Sequence, residues 1–232
     1  MDAALTGQEI AVAPPPEPPG LERAGFWAAN RVSILATVAT VVLTAAVWAW
    51  LPHERLLSSV WVLLGKLTPF VAAIVAIAWL DPATGKRFRM HLWVLPLVFV
   101  GFFCWFVANI FVSALKLPGQ EAFDELYYHV LLMVPFMILG LLLAYRLGGG
   151  ERGVVLRLGT AMLLIQLSGL EDLVAVALQG EIPAVWTWAS HITVFLGHAA
   201  SRAEAFAFIA VHLVLAVAVL AVPAPKWRKK TP

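Results

Sequence analysis

The strongest constraint in this chain is a succession of long apolar runs that carry almost no charge. Val32–Leu51, Leu57–Leu80, Leu92–Leu115, Val130–Tyr145 with its flanks and Val154–Leu178 form five of them, and Ala205–Val222 closes the series. A helix needs about 20 such residues to cross roughly 30 Å of hydrocarbon, where every backbone N–H and C=O must be bonded within the segment. Water could not cover this much apolar surface. Hydrophobic residues make up 61% of the 232 and charged residues 13%, with a mean hydropathy of +0.86, whereas a soluble domain is about 25% charged. The sequence predicts an all-α, polytopic membrane helix bundle. A soluble globular domain is excluded, and so is a disulfide scaffold, because Cys104 is the only cysteine. Nucleic acid is not an expected partner, since the net charge of +2 arises from basic residues at loop ends that form no face.

Residues 1–25 include Ala13–Pro19, a proline-rich run without the apolar core of a signal peptide. They read as a disordered cytoplasmic tail. Residues 26–224 read as a single transmembrane domain, and 225–232 as a basic cytoplasmic tail with Lys226, Arg228, Lys229 and Lys230. Lys and Arg are retained on the cytoplasmic side, which assigns the Lys86–Arg89 and Arg146–Arg152 loops to the inside. The 116–126 loop, with Glu121, Asp124 and Glu125, is assigned to the outside. Between the fifth and sixth runs lies Pro183–Ala199, which is apolar but short and interrupted by His191, Gly197 and His198. If it crossed fully, the basic tail would end outside. Six spans plus one re-entrant or interfacial outer half-helix are therefore expected, with seven spans as the alternative. The chain is read as a multi-pass plasma-membrane protein with both termini cytoplasmic. No internal repeat is evident.

Ionisable groups at membrane depth are costly and mark functional sites by default. Under this topology Glu171 and Asp172 fall in the outer half of the fifth span, with Ser168 one turn before them on the same face. The half-helix adds Trp188, His191, Phe195 and His198, spaced as one helical face. Glu204 starts the last span, where with Arg202 it equally suits a solvated helix start, and His212 lies deeper. Lys66 and Asn109 map to the same leaflet, and Tyr127, Tyr128 and His129 cap the fourth span there. His53 and His129 read as interfacial residues.

Paired carboxyls in a poorly hydrated pocket disfavour double ionisation, so one can act as an acid beside an imidazole base. The expectation is an integral membrane enzyme that isomerises or cyclises an apolar lipid or isoprenoid-type substrate. Glu171, Asp172, His191, His198 and His212 would be catalytic, with Lys66, Asn109, Ser168, Trp188 and Glu204 as orienting groups. Imidazoles and carboxylates also suit a divalent metal such as Zn, Fe or Mn, with His191, His198, His212 and Asp172 as the ligand candidates. Aromatic residues around Phe102, Phe103, Trp105, Phe106 and Phe111 could stabilise a carbocation or simply face lipid, and Cys104 among them reads as a buried apolar filler. Desaturase-type histidine boxes are missing, because no two histidines stand closer than seven residues. Gly148–Gly150 is not a phosphate loop, because no Lys-Ser/Thr follows it. The competing readings are a proton-coupled transporter or channel and a non-catalytic assembly subunit. The bilayer and an apolar small molecule are the expected partners, and an oligomer is compatible with the sequence.

Overall fold

The computed structural model describes residues 25–52, 57–110 and 120–222, with backbone alone for 120–125, 127, 128 and 131. Both expected tails beyond these limits, His53, Phe111–Leu115 and the side chains of Glu121, Asp124, Glu125, Tyr127 and Tyr128 lie outside the described residues. The chain runs α1 (Phe26–Trp50), α2 (Val60–Trp79), α3 (Pro82–Arg87), α4 (Met90–Ile110), α5 (Gln120–Leu147), α6 (Arg152–Leu167) and α7 (Leu170–Leu178). It continues through β1 (Val185–Trp186), α8 (Ser190–Leu196), β2 (Ala200–Ser201) and α9 (Arg202–Ala221). Four helices, α1, α2, α4 and α9, are long and apolar enough to cross a membrane. The bent pair α6–α7 makes a fifth if counted as one span, and α5 adds a shorter apolar stretch, Leu132–Leu147. The described residues thus form a helical structure with four candidate membrane-spanning helices, consistent with a membrane helix bundle.

Local chemistry explains the helix boundaries. Ser59 starts α2 by accepting a hydrogen bond from the Val62 amide at 3.3 Å. Within α2, Pro69 cannot donate to the carbonyl of Gly65, and the Thr68 hydroxyl takes its place at 2.7 Å. Asp81 starts α3 by accepting from the amides of Ala83 and Thr84, both at 3.2 Å, with Pro82 at the first helical position. In α4, Phe102–Val107 widens into a π turn. There Phe106 turns inward onto Phe136, with ring centroids 5.2 Å apart, while Phe103, Trp105 and Cys104 are exposed. The expectation of a buried Cys104 is corrected: an apolar neighbourhood faces outward when the surrounding solvent is lipid.

Two cores hold the bundle. In the first, Ile74 and Ala78 of α2 meet Ile138 and Leu142 of α5 and Val155 and Leu163 of α6. Gly159 lets α6 approach closely, because a Cβ there would come within 2.8 Å of Ile74. The second core joins Val176 of α7, Trp186, Ile192 of α8, and Ala205 and Ile209 of α9. β1 and β2 pair antiparallel, Val185 with Ser201 and Trp186 with Ala200. The two ends of the intervening segment therefore lie side by side.

At the far end of α2, polar groups close the packing. The buried Asn30 of α1 donates to Thr84 Oγ1 at 2.9 Å and accepts from the Asp81 amide at 3.0 Å. Ser33 donates to the Ala76 carbonyl at 2.8 Å. The buried Arg146 donates from Nε to the carbonyl of Leu80 at 2.8 Å and from Nη1 to that of Gly150. Arg157 donates to the carbonyls of Leu220 and Val222, at 3.2 and 2.6 Å, closing the end of α9.

The fifth apolar run is not one continuous helix, as Val154–Leu178 was expected to be. It bends by 45° between α6 and α7, where Gly169 takes a left-handed φ of +78° that suits glycine. Ser168 explains how the break is satisfied. It is fully buried, donates to the Ile165 carbonyl at 2.6 Å and accepts from the Leu170 amide at 3.0 Å. Its hydroxyl thus ends one helix and begins the next.

Candidate active site

The break puts Glu171 and Asp172 in the first turn of α7 rather than far along a straight span. A cavity of about 200 Å³ opens there, and Lys66, Glu171, Asp172, Trp188 and His191 all line it. Five of the ten expected site residues therefore converge, from α2, α7 and the segment between β1 and β2. The remaining wall is largely apolar, including Leu67 and Phe70 of α2, Leu132 and Pro135 of α5, and Leu163 of α6.

Each polar group has a local reason for its position. Asp172 is 7% exposed and accepts a hydrogen bond from Trp188 Nε1 at 3.2 Å. Trp188 is itself stacked on the buried Trp186, with ring centroids 5.5 Å apart, so the second core positions the donor. His191 lies in the first turn of α8, with Nε2 packed on Gly169: a Cβ added there would sit 3.1 Å from that nitrogen. Nε2 is enclosed and makes no hydrogen bond with the described residues. Burial, and secondly the nearby His212, lower the His191 pKa from the ordinary 6.5 to about 4. The imidazole is therefore neutral at physiological pH.

The remaining expected residues lie elsewhere. The half-helix expected to carry Trp188, His191, Phe195 and His198 on one face is helical only over Ser190–Leu196, and Gly197 ends it with a φ of +81°. His198 lies beyond that turn, donating from Nδ1 to the Ala199 carbonyl at 3.0 Å, with Nε2 3.6 Å from Glu204. Glu204 forms a capping box with Ser201, accepting from its amide at 2.8 Å and its hydroxyl at 2.7 Å. His212 donates from Nδ1 to the Phe208 carbonyl at 2.9 Å and lies against the Phe208 ring at 4.2 Å. Phe208 also meets His191 at 6.4 Å, so the two imidazoles flank one ring. Asn109 donates to the Trp105 carbonyl at 2.7 Å, next to the π turn. None of these four, nor Ser168, lines the cavity, and neither do Phe102, Phe103, Trp105 and Phe106. Among the described residues no group of three or more His, Cys, Asp or Glu side chains is placed to hold a metal ion. The set His191, His198, His212 and Asp172 is not assembled because α8 ends before His198 and because His212 lies against Phe208, away from the cavity that Asp172 and His191 line.

Sequence reading missed Gln166, Phe70 and Pro135 as lining residues. Gln166 had a visible signal, a polar side chain inside an apolar run two residues before Ser168. A second, open groove of about 600 Å³ lies beside the cavity, shares Gln166 and Glu171 with it, and is otherwise lined by apolar residues such as Val134, Ile138, Met162 and Val174. Chemically, the site offers two carboxyl groups, a lysine side chain and a neutral imidazole within apolar walls. No protein-family model matches the chain, and comparison with curated proteins and with solved structures finds no match.

Proposed function

We propose that the chain is an integral membrane enzyme acting on an apolar lipid or isoprenoid-type substrate by intramembrane acid–base chemistry, such as isomerisation or cyclisation. The observation that supports this most is the meeting of Lys66, Glu171, Asp172, Trp188 and His191 in one mainly apolar cavity. The apolar groove that shares Glu171 and Gln166 offers a place for the substrate's hydrocarbon. In this reading one of the two carboxylic acids delivers a proton to one carbon of a double bond. The His191 imidazole, which lines the same cavity, takes a proton from a neighbouring carbon, so the double bond shifts with no net oxidation. Trp188 holds Asp172 in position, and Lys66 orients the polar end of the substrate.

The accompanying topology is six spans and an outer half-helix, in a multi-pass plasma-membrane protein with cytoplasmic termini. The pairing of β1 with β2 supports it, since the half-helix segment leaves and returns at one place. A proton-relay transporter is less well supported, because the Arg146 and Arg157 guanidiniums at the other end are committed to backbone carbonyls.

The test compares lipid extracts of cells producing the wild type, Glu171→Gln, Asp172→Asn or His191→Gln in equal, folded amounts. Mass spectrometry is expected to find a lipid species that changes with the wild type and stays at the empty-vector level with Asp172→Asn. Identical lipid profiles for all four proteins would remove these residues from any chemistry. Proton flux into liposomes carrying the pure protein would favour the transporter.

A further inference from the structure

The opposite end of the molecule holds a second feature that the proposed chemistry does not use. An open groove of about 440 Å³ runs between α1 and α4, with Ile34 and Val38 on one side and Met90 and Trp93 on the other. Leu80, Thr84 and Phe88 close it at the α3 end. Its mouth is aromatic: the Phe26 and Phe88 rings meet edge to face at 6.1 Å, and Trp93 Nε1 donates to the Phe88 carbonyl at 3.1 Å. Tryptophans at this level are typical of a membrane–water interface, and Trp27 is exposed here as well.

The charge on the segments beside this mouth is mainly of one sign. Arg31, Lys86, Arg87 and Arg89 are all exposed, and the Arg87 guanidinium lies 5.7 Å from the centre of the Phe88 ring. Asp81 is the only acidic residue in 25–52 and 57–110. Its carboxylate is already bonded to the Ala83 and Thr84 amides and the Thr84 hydroxyl. The groove floor therefore supplies hydrocarbon contact, while the adjoining described residues of 25–52 and 57–110 supply four exposed cations against one carboxylate. That combination matches one occupant, since basic pockets between membrane helices take anionic lipid headgroups. We propose that this groove binds an anionic phospholipid, with an acyl chain along α1 and α4 and the phosphate held by Arg87, Arg89, Lys86 and Arg31. The site is independent of the acid–base cavity, which lies at the other end of α2.

The test measures phospholipid retained by the full-length protein, by native mass spectrometry after reconstitution in phosphatidylcholine with or without phosphatidylglycerol. The wild type is expected to retain phosphatidylglycerol selectively. Arg87→Gln and Arg89→Gln should each weaken retention about fivefold, the equivalent of one charge near an anionic surface. Val38→Trp fills the groove at an exposed position and leaves every charge in place, so it should also lose selective retention. Glycerol phosphate, which has the headgroup charge without chains, should not compete. Equal retention of both lipids, wild-type behaviour of Val38→Trp, or competition by glycerol phosphate would each overturn the proposal. So would a stable dimer that covers the groove and carries no phospholipid.

Discussion

The two ends of the bundle treat their polar side chains in opposite ways. Near α3, Asn30, Ser33, Arg146 and Arg157 are bonded to backbone carbonyls, to an amide or to the Thr84 hydroxyl. Those groups seal helix ends, and the opening beside them is the groove along α1 and α4. Near α7, Lys66, Glu171, Asp172 and His191 face a shared cavity, and the His191 Nε2 is enclosed without a bonding partner. Both ends place polar side chains at helix termini. What separates structure from a candidate site is therefore where the lone pairs and protons are directed, not how polar the residues are.

Substitutions can break this contrast, and the largest effect belongs to the sealed end. Arg146→Ala should destabilise the protein by about 3 kcal/mol, because the Leu80 and Gly150 carbonyls lose a charged donor, as read from unfolding in mixed detergent. A loss below about 1 kcal/mol would mean that water reaches those carbonyls.

The next effect is pH-dependent and belongs to the cavity end. The His191 pKa is near 4 in the folded state and near 6.5 when unfolded. Between these values the unfolded chain binds the extra proton, so stability falls as pH drops from about 6.5 towards 4 and is unaffected above that window. The slope should approach 1.4 kcal/mol per pH unit, and His191→Gln should remove it. Parallel unfolding curves for wild type and variant from pH 7 to 5 would show that the imidazole is hydrated.

Ser168→Ala should cost about 1 kcal/mol by leaving the Leu170 amide without its acceptor. It should also misplace Glu171 and Asp172, lowering any lipid conversion together with stability. The smallest change is expected for Asp172→Asn, below the Ser168→Ala cost, since the amide oxygen can still accept from Trp188 and a neutral amide costs less to bury than a carboxylate. A large loss of stability there would make Asp172 part of the scaffold and erase the contrast between the two ends.

Much of the helical layout was legible because lipid imposes a simple rule, about 20 apolar residues per crossing. The cavity group was legible for the same reason: Lys66, Glu171, Asp172 and His191 stand out where charge is costly. Three features were not legible. The bend at Gly169 depends on one positive φ and on the Ser168 hydroxyl, and nothing in an apolar run distinguishes such a glycine from a packing glycine like Gly159. The end of α8 at Gly197 separates His198 from His191, although their spacing of seven suits one helical face. The commitment of Arg146 and Arg157 to carbonyls 66 and up to 65 residues away is tertiary, and the charge asymmetry used to orient the loops says nothing about it.

The two-residue ladder between Val185–Trp186 and Ala200–Ser201 has a consequence for how such a protein could diversify. Because the stems of the intervening stretch are fastened together, residues 187–199 are an insertion hung on a closed clasp. Exchanging that insertion would keep the stems fastened, but a replacement would have to refill the space that Ala189 and Ile192 occupy in the second core, so ligand preference could drift only at positions outside that core.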